Sequence, residues 1–132
     1  MIRFPLFIAR RFVAGEILAD ALFVARKFHT KGIHTTLDHL GEDVTNKQKA
    51  RKATTTYLRI LDALAREKIG ANISIKLSQI GLAIDPSFAY RQADLILKRA
   101  KKYHILVEID MEASTYLQDT LTIFYRLLKK HK

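Results

Sequence analysis

The chain has 132 residues, 48% of them hydrophobic, and no cysteine. That length and composition suit one domain with a real core rather than a disordered chain, and the missing thiols exclude disulfides and thiolate metal sites and fit a reducing compartment. The net charge is +10, the five histidines stand at no metal-ligating spacing, and the most apolar stretch, 12–28, carries Glu16, Asp20, Arg26 and Lys27 and falls short of a membrane span.

The first element expected is a segment of helical period from Leu6 to Thr30, with Phe12, Leu18, Leu22, Phe23 and Phe28 among its apolar residues. Gly15 divides it and Gly32 ends it, so 1–31 reads as N-terminal helices. A strand-then-helix pattern follows three times over 32–132. The first strand is 33–38. Its helix opens with a capping box, Thr45-x-x-Gln48, runs on Ala50, Ala53, Tyr57, Ile60, Leu61 and Leu64, and ends at Gly70. The second strand, 72–78, alternates strictly. Asp85-Pro86 then starts a helix on Ala89, Ala93, Ile96, Leu97 and Ala100. The third strand is 105–110, and a last helix starts near Ser114 or Thr115, with a box Thr115-x-x-Gln118.

Alternating strands and helices predict a parallel sheet. Asp38 and Lys76 are 38 positions apart, Lys76 and Asp110 34. A βα unit of an eight-fold barrel takes roughly 30 residues. The fold expected is therefore α/β: the first three βα units of a (β/α)8 barrel of the TIM type, with the barrel incomplete and the chain a single partial domain.

Strand parity assigns the faces, because successive side chains alternate. Ile73, Ile75 and Leu77 share one face of the second strand; Ser74, Lys76 and Ser78 share the other. With the aliphatic faces under the helices, Asp38, Lys76 and Asp110 turn toward the barrel axis at the C-terminal strand ends. Active sites of such barrels lie there. A lysine placed only to neutralise two aspartates is the plainer explanation. The coincidence of parity, strand end and threefold recurrence favours a ligand-handling role.

The motifs then resemble one family. Arg11-Phe12-Val13-Ala14-Gly15-Glu16, Thr36-Leu37-Asp38-His39-Leu40-Gly41-Glu42, Asn72-Ile73-Ser74-Ile75-Lys76-Leu77-Ser78-Gln79-Ile80-Gly81-Leu82 and Ile109-Asp110-Met111-Glu112 are similar, in order and spacing, to the monofunctional proline dehydrogenases. The resemblance implies an FAD-dependent oxidoreductase of proline catabolism, which converts L-proline to 1-pyrroline-5-carboxylate and passes electrons to a quinone or other acceptor. It implies Lys76 at the substrate carboxylate, Asp110 as catalytic, and Met111 with its backbone against the flavin. Glu42 would ion-pair with an arginine near the end of the full barrel and help close the site, with Asp38 in the same cluster. No metal is implied.

Further flavin and substrate contacts would come from beyond Lys132, so the chain alone is expected to be inactive and to need the missing barrel segment or self-association. The expected location is the cytoplasm, with peripheral attachment to the inner face of the membrane as its variant. The alternative is a small basic domain that binds nucleic acid or anionic surfaces. Its charge clusters, Lys47-Lys49-Arg51-Lys52, Lys98-Arg99-Lys101-Lys102 and Lys129-Lys130-His131-Lys132, read better as decoration of helices, the last two at C-termini. Aromatic interleaving and nucleic-acid motifs are missing, so no nucleic-acid partner is expected.

Overall fold

Three parallel strands form one sheet in the order β1-β2-β3. The computed structural model describes residues 14–41 and 44–131. In chain order these give α1 (Leu18–His29), β1 (Thr35–Asp38), α2 (Lys47–Glu67), β2 (Ala71–Ile75), α3 (Pro86–Tyr103), β3 (Val107–Ile109), a 3₁₀ turn (Ser114–Tyr116) and α4 (Leu117–His131). The element order is the one the periodicity predicts. The early part of the first expected helix lies outside the described residues, as does the Arg11-Phe12-Val13 end of the first motif.

Parity holds in three dimensions. Leu37 pairs with Ile73 and Ile73 with Val107, which sets one aliphatic row across the sheet. Ile73, Ile75 and Leu77 are fully buried beneath α2 and α3, against Tyr57, Leu61, Leu64, Ala89, Ala93 and Ile96. Burying each large aliphatic side chain stabilises the fold by about 1.5–3 kcal/mol. The opposite face carries Thr36, Asp38, Asn72, Ser74, Lys76, Glu108 and Asp110. Among the described residues β1 and β3 each pair only with β2, so both outer edges are open.

The ends of several elements differ from the sequence reading. Asn46, not Thr45, caps α2: its Oδ1 accepts the Gln48 N–H at 2.7 Å and the Lys49 N–H at 3.4 Å. Asparagine is at least as good a cap as threonine, and it stands one residue nearer the helix. Lys68, at φ 54°, terminates α2 two residues before Gly70. Ala113 precedes the 3₁₀ turn without a side-chain cap, so the Thr115 box does not form. Asp85 does cap α3, accepting the Ser87 N–H at 2.8 Å ahead of Pro86.

Part of the basic decoration joins helices. Arg99 on α3 reaches Asp62 on α2 at 2.6 and 2.7 Å, and the Tyr103 hydroxyl donates to the same carboxylate at 2.9 Å. Asp94 on α3 holds Lys98 of its own helix at 3.0 Å and, from α4, Lys130 at 2.9 Å and His131 at 2.8 Å. Burial of Asp94 would by itself raise its pKa. The hydrogen bonds from Lys130, His131 and Lys98 outweigh that and bring it down to about 2 from 3.8. Its folded pKa is thus below its unfolded one. The stabilisation is whole above about pH 4 and is shed as pH falls toward 2. Unfolding by urea at stepped pH is expected to show the loss in that window for the parent chain, and a flatter profile for Asp94→Asn. Parallel profiles would contradict it.

Candidate functional site

The three strand-end residues singled out by parity meet. Lys76 Nζ lies 2.5 Å from Asp110 Oδ2 and 3.3 Å from Asp38 Oδ2. Asp38 closes β1, and Lys76 and Asp110 each stand one residue past their strands. The Asp110 N–H donates to the Ile75 carbonyl at 2.9 Å, which fixes the third strand end against the second. The Lys76 side chain is only 13% exposed, whereas those of Asp38 and Asp110 are 31% and 46% exposed. The cation therefore sits below and between two carboxylates that face the opening.

The electrostatics follow from that geometry. The hydrogen bond to Asp110 raises the Lys76 pKa against the opposing effect of desolvation, and Asp38 adds to the rise. The hydrogen bond from Lys76 in turn lowers the Asp110 pKa. Lys76 and Asp110 thus each stabilise the other's charged form. The trio carries one positive and two negative charges.

Below it, toward the start of the strands, a polar ladder crosses the same face. Thr36 Oγ1 donates to Glu108 Oε1 at 3.0 Å, Asn72 Nδ2 approaches the same oxygen at 3.4 Å, and His34 Nε2 meets Asn72 Oδ1 at 3.0 Å. Leu106, 61% exposed, lies on this face as parity requires.

Two supports of the site escape a reading by periodicity. Glu112 accepts from the Ser78 N–H at 2.9 Å, and from the Ser78 hydroxyl as well. This carboxylate ties the loop after β3 to the loop after β2, on either side of Lys76 and Asp110. The second support is a buried knot. The Tyr57 hydroxyl donates to Gln79 Oε1 at 2.5 Å, Gln79 Nε2 donates to the His39 carbonyl at 2.8 Å, and the His39 ring packs edge-on to Tyr57 with centroids 5.8 Å apart. Burial, then the Asp38 charge, pushes the Tyr57 pKa up, so its hydroxyl stays a neutral donor. Tyr57 reads in sequence as one more member of an apolar stripe. Its signal is the hydroxyl, which must find a partner once the ring is buried. Glu112 and Gln79 lie inside the recognised motifs without an assigned role.

A double-mutant cycle tests the loop tie. Ser78→Ala and Glu112→Ala are each expected to cost about 1–3 kcal/mol, and the pair to be non-additive by at least about 0.5 kcal/mol. Additive losses in urea denaturation would mean that the two loops are not joined through this contact.

Met111 follows Asp110 at the site opening and is 53% exposed. Glu42 lies outside the described residues. Among the described residues no three His, Asp or Glu side chains are placed to hold a metal ion, and no helix is long and apolar enough to cross a membrane.

The sequence model of the family described as "Proline dehydrogenase" matches residues 21–132. Proline dehydrogenase 2 of Bacillus subtilis (strain 168) is 32% identical over 124 residues, which cover 94% of this chain and 41% of that protein. The bifunctional protein PutA of Escherichia coli (strain K12) is 30% identical over 134 residues, 89% of this chain and 10% of that one. The chain thus spans about two fifths of the length of the Bacillus relative. Its structure is similar to a crystal structure of proline utilization A from Bdellovibrio bacteriovorus, inactivated by N-propargylglycine. The TM-score is 0.83 at 19% identity, over 93% of this chain and 15% of that one. The likeness shows the fold: three consecutive βα units of a TIM-type barrel.

Proposed function

The chain belongs to the proline dehydrogenase family, and from that premise we propose that its strand-end trio forms the amino-acid end of an active site that oxidises L-proline to 1-pyrroline-5-carboxylate. The observation that carries this reading is a fixed lysine, mostly buried, between two exposed carboxylates at the C-terminal mouth of a parallel sheet. Proline is a zwitterion. Its carboxylate seeks Lys76, and its ring nitrogen, cationic when protonated, suits the flanking aspartates.

Lysine has three N–H donors. Asp38 and Asp110 take two, which leaves one for the carboxylate of the substrate. Holding a substrate at one end against a rigid donor gives the orienting contribution that catalysis needs. Asp110, with its pKa depressed by Lys76, is a poor general acid at neutral pH. Its role in the site is to aim Lys76 and to accept a hydrogen bond.

FAD fits the chemistry of this mouth. Met111 offers exposed apolar surface and backbone next to Asp110, beside charges that hold the amino acid. When bound, the flavin supplies the hydride acceptor, and the electrons go on to a quinone or another acceptor. Met111 would bear on the flavin through its backbone, and Glu42 would pair with an arginine supplied from outside residues 1–132.

The trio alone has a net charge of −1 and repels a carboxylate on balance. Further cations, supplied by another barrel segment or by a second copy, complete the site. A quinone acceptor would place the assembled enzyme in the cytoplasm against the inner face of the membrane.

The test mixes this chain with a polypeptide that supplies the rest of the barrel, taken from Bacillus subtilis proline dehydrogenase 2. The mixture is expected to bind FAD and to reduce a dye only when proline is added; the chain alone does neither. An assembly that binds FAD yet shows no proline-dependent reduction overturns the assignment. FAD binding and turnover by the chain alone would overturn its need for a complement.

A further inference from the structure

The far end of the sheet carries a polar feature that the strand-end chemistry does not use. A groove of about 490 Å³ opens where β2 begins, lined by His29, His34, Lys68, Lys102 and His104 around Gly70, over an aliphatic floor. Its size is within the range of small-molecule sites. No carboxylate lines it. Among the described residues none of these five side chains has a carboxylate partner, whereas Arg26, Lys98, Arg99 and Lys130 each have one. The nearby Glu67 is engaged by Arg26 and Arg66.

The cations are not needed to finish the helices. Lys68 and His104 end α2 and α3 with left-handed backbones at φ 54° and 57°. The carbonyls of Leu64, Ala65, Ala100 and Lys101 all accept backbone N–H groups from Ile69, Lys68, Ile105 and His104. The Lys68 and Lys102 ammonium groups thus cap neither helix; Lys102 Nζ lies over the Tyr103 ring, 5.4 Å from its centroid, and its charge also reaches Asp62.

Two imidazoles converge at one point. A Cβ built on Gly70 would stand 3.0 Å from His29 Nδ1 and 3.9 Å from His34 Nδ1. Asn72 Oδ1 is an acceptor, so His34 Nε2 donates to it at 3.0 Å, which fixes that ring with its Nδ1 toward Gly70, where it donates to an anion as the imidazolium. The absence of a side chain at 70 keeps the space between the rings open. Five nitrogen-bearing side chains around a cleft without acids match the several acceptor oxygens of a phosphate group.

We propose that this groove is a binding site for a phosphate-bearing small molecule, with His29 and the imidazolium of His34 meeting its oxygens at Gly70, Lys68 and Lys102 supplying the neutralising charge, and His104 beside them. The site is built wholly from this chain and does not depend on the proline reading.

Inorganic pyrophosphate is the probe, titrated by calorimetry and by the imidazole signals of the five histidines. Saturable binding that perturbs His29 and His34 is expected. The Lys68→Ala/Lys102→Ala pair should weaken it about tenfold or more. Lys49→Ala/Lys52→Ala removes the same charge from the opposite end of α2 and should change it less than about twofold. Gly70→Ala should weaken it several-fold by displacing His29, and Gly70 has no left-handed backbone for alanine to strain. An equal loss in the two lysine pairs would mean diffuse attraction to a chain of charge +10 and would overturn the proposal. So would the absence of binding, or binding that leaves His29 and His34 unmoved.

Discussion

Exchanging Lys76 for methionine is expected to lower proline turnover in the assembled enzyme about a thousandfold, with little change in stability. Methionine keeps the length of the side chain and removes the charge. The substrate carboxylate would then face Asp38 and Asp110 without the cation that lies 3.3 and 2.5 Å from them. Losing a preorganised charge at a reacting substrate costs up to about 4 kcal/mol, which is about a thousandfold. Most of it should fall on kcat/KM, because the anchor positions the ring for oxidation as well as holding it. The fold should survive, since the lysine lies on the open face of the sheet and the core is on the other. Lys76→Arg should recover part of the activity, because charge is kept and shape is not. A kcat/KM for Lys76→Met within about fivefold of the parent would remove Lys76 from the substrate site and reduce the trio to a structural ion pair.

Gly81→Ala should destabilise the chain by about 3–5 kcal/mol, the largest effect expected from a single methyl group here. Two costs add. Gly81 has φ +109°, a conformation that side chains rarely adopt. Its new Cβ would also stand 2.6 Å from Phe88 Cδ1 and 2.8 Å from Cε1. That ring is almost fully buried in the first turn of α3, with Lys47 and Arg51 over it at 5.5 and 5.6 Å. It has little room to yield. The Gly81 carbonyl accepts the N–H groups of Ile84 and Asp85, so the turn leads directly into the α3 cap. The same turn follows Ser78 and Gln79, and its distortion would disturb the loop that carries Lys76. Urea denaturation of Gly81→Ala and of Gly81→Ala/Phe88→Ala separates the costs. The second variant loses the clash and keeps the backbone strain, at the added cost of a cavity. An unchanged midpoint for Gly81→Ala would show that the turn relaxes freely.

The basic clusters show how an ambiguous feature gains meaning from neighbours. As sequence they are surplus charge, open to a reading as a polyanion surface. In the structure Arg99 joins α3 to α2 through Asp62, and Lys130 and His131 join α4 to α3 through Asp94. These cations are occupied. At the start of β2, by contrast, Lys68 and Lys102 have no ion pair to a carboxylate among the described residues.

The sequence by itself determined what depends on local period. Hydrophobic spacing gave the order of the helices and strands, and alternation placed Asp38, Lys76 and Asp110 on one face at one end. Both are properties of neighbouring residues along a regular backbone, so they need no knowledge of what packs against what. The motifs also determined the family. The tertiary structure alone decided the rest. Asn46 rather than Thr45 caps α2, and Lys68 rather than Gly70 ends it, because a helix stops where its end groups find partners. Glu112 reaches Ser78 across 34 positions, and Tyr57 finds Gln79 only because the loop after β2 folds back over α2. Such contacts join residues that no periodicity relates. Their partners are fixed by how loops and helices meet, which is a property of the packed chain and not of any stretch of it.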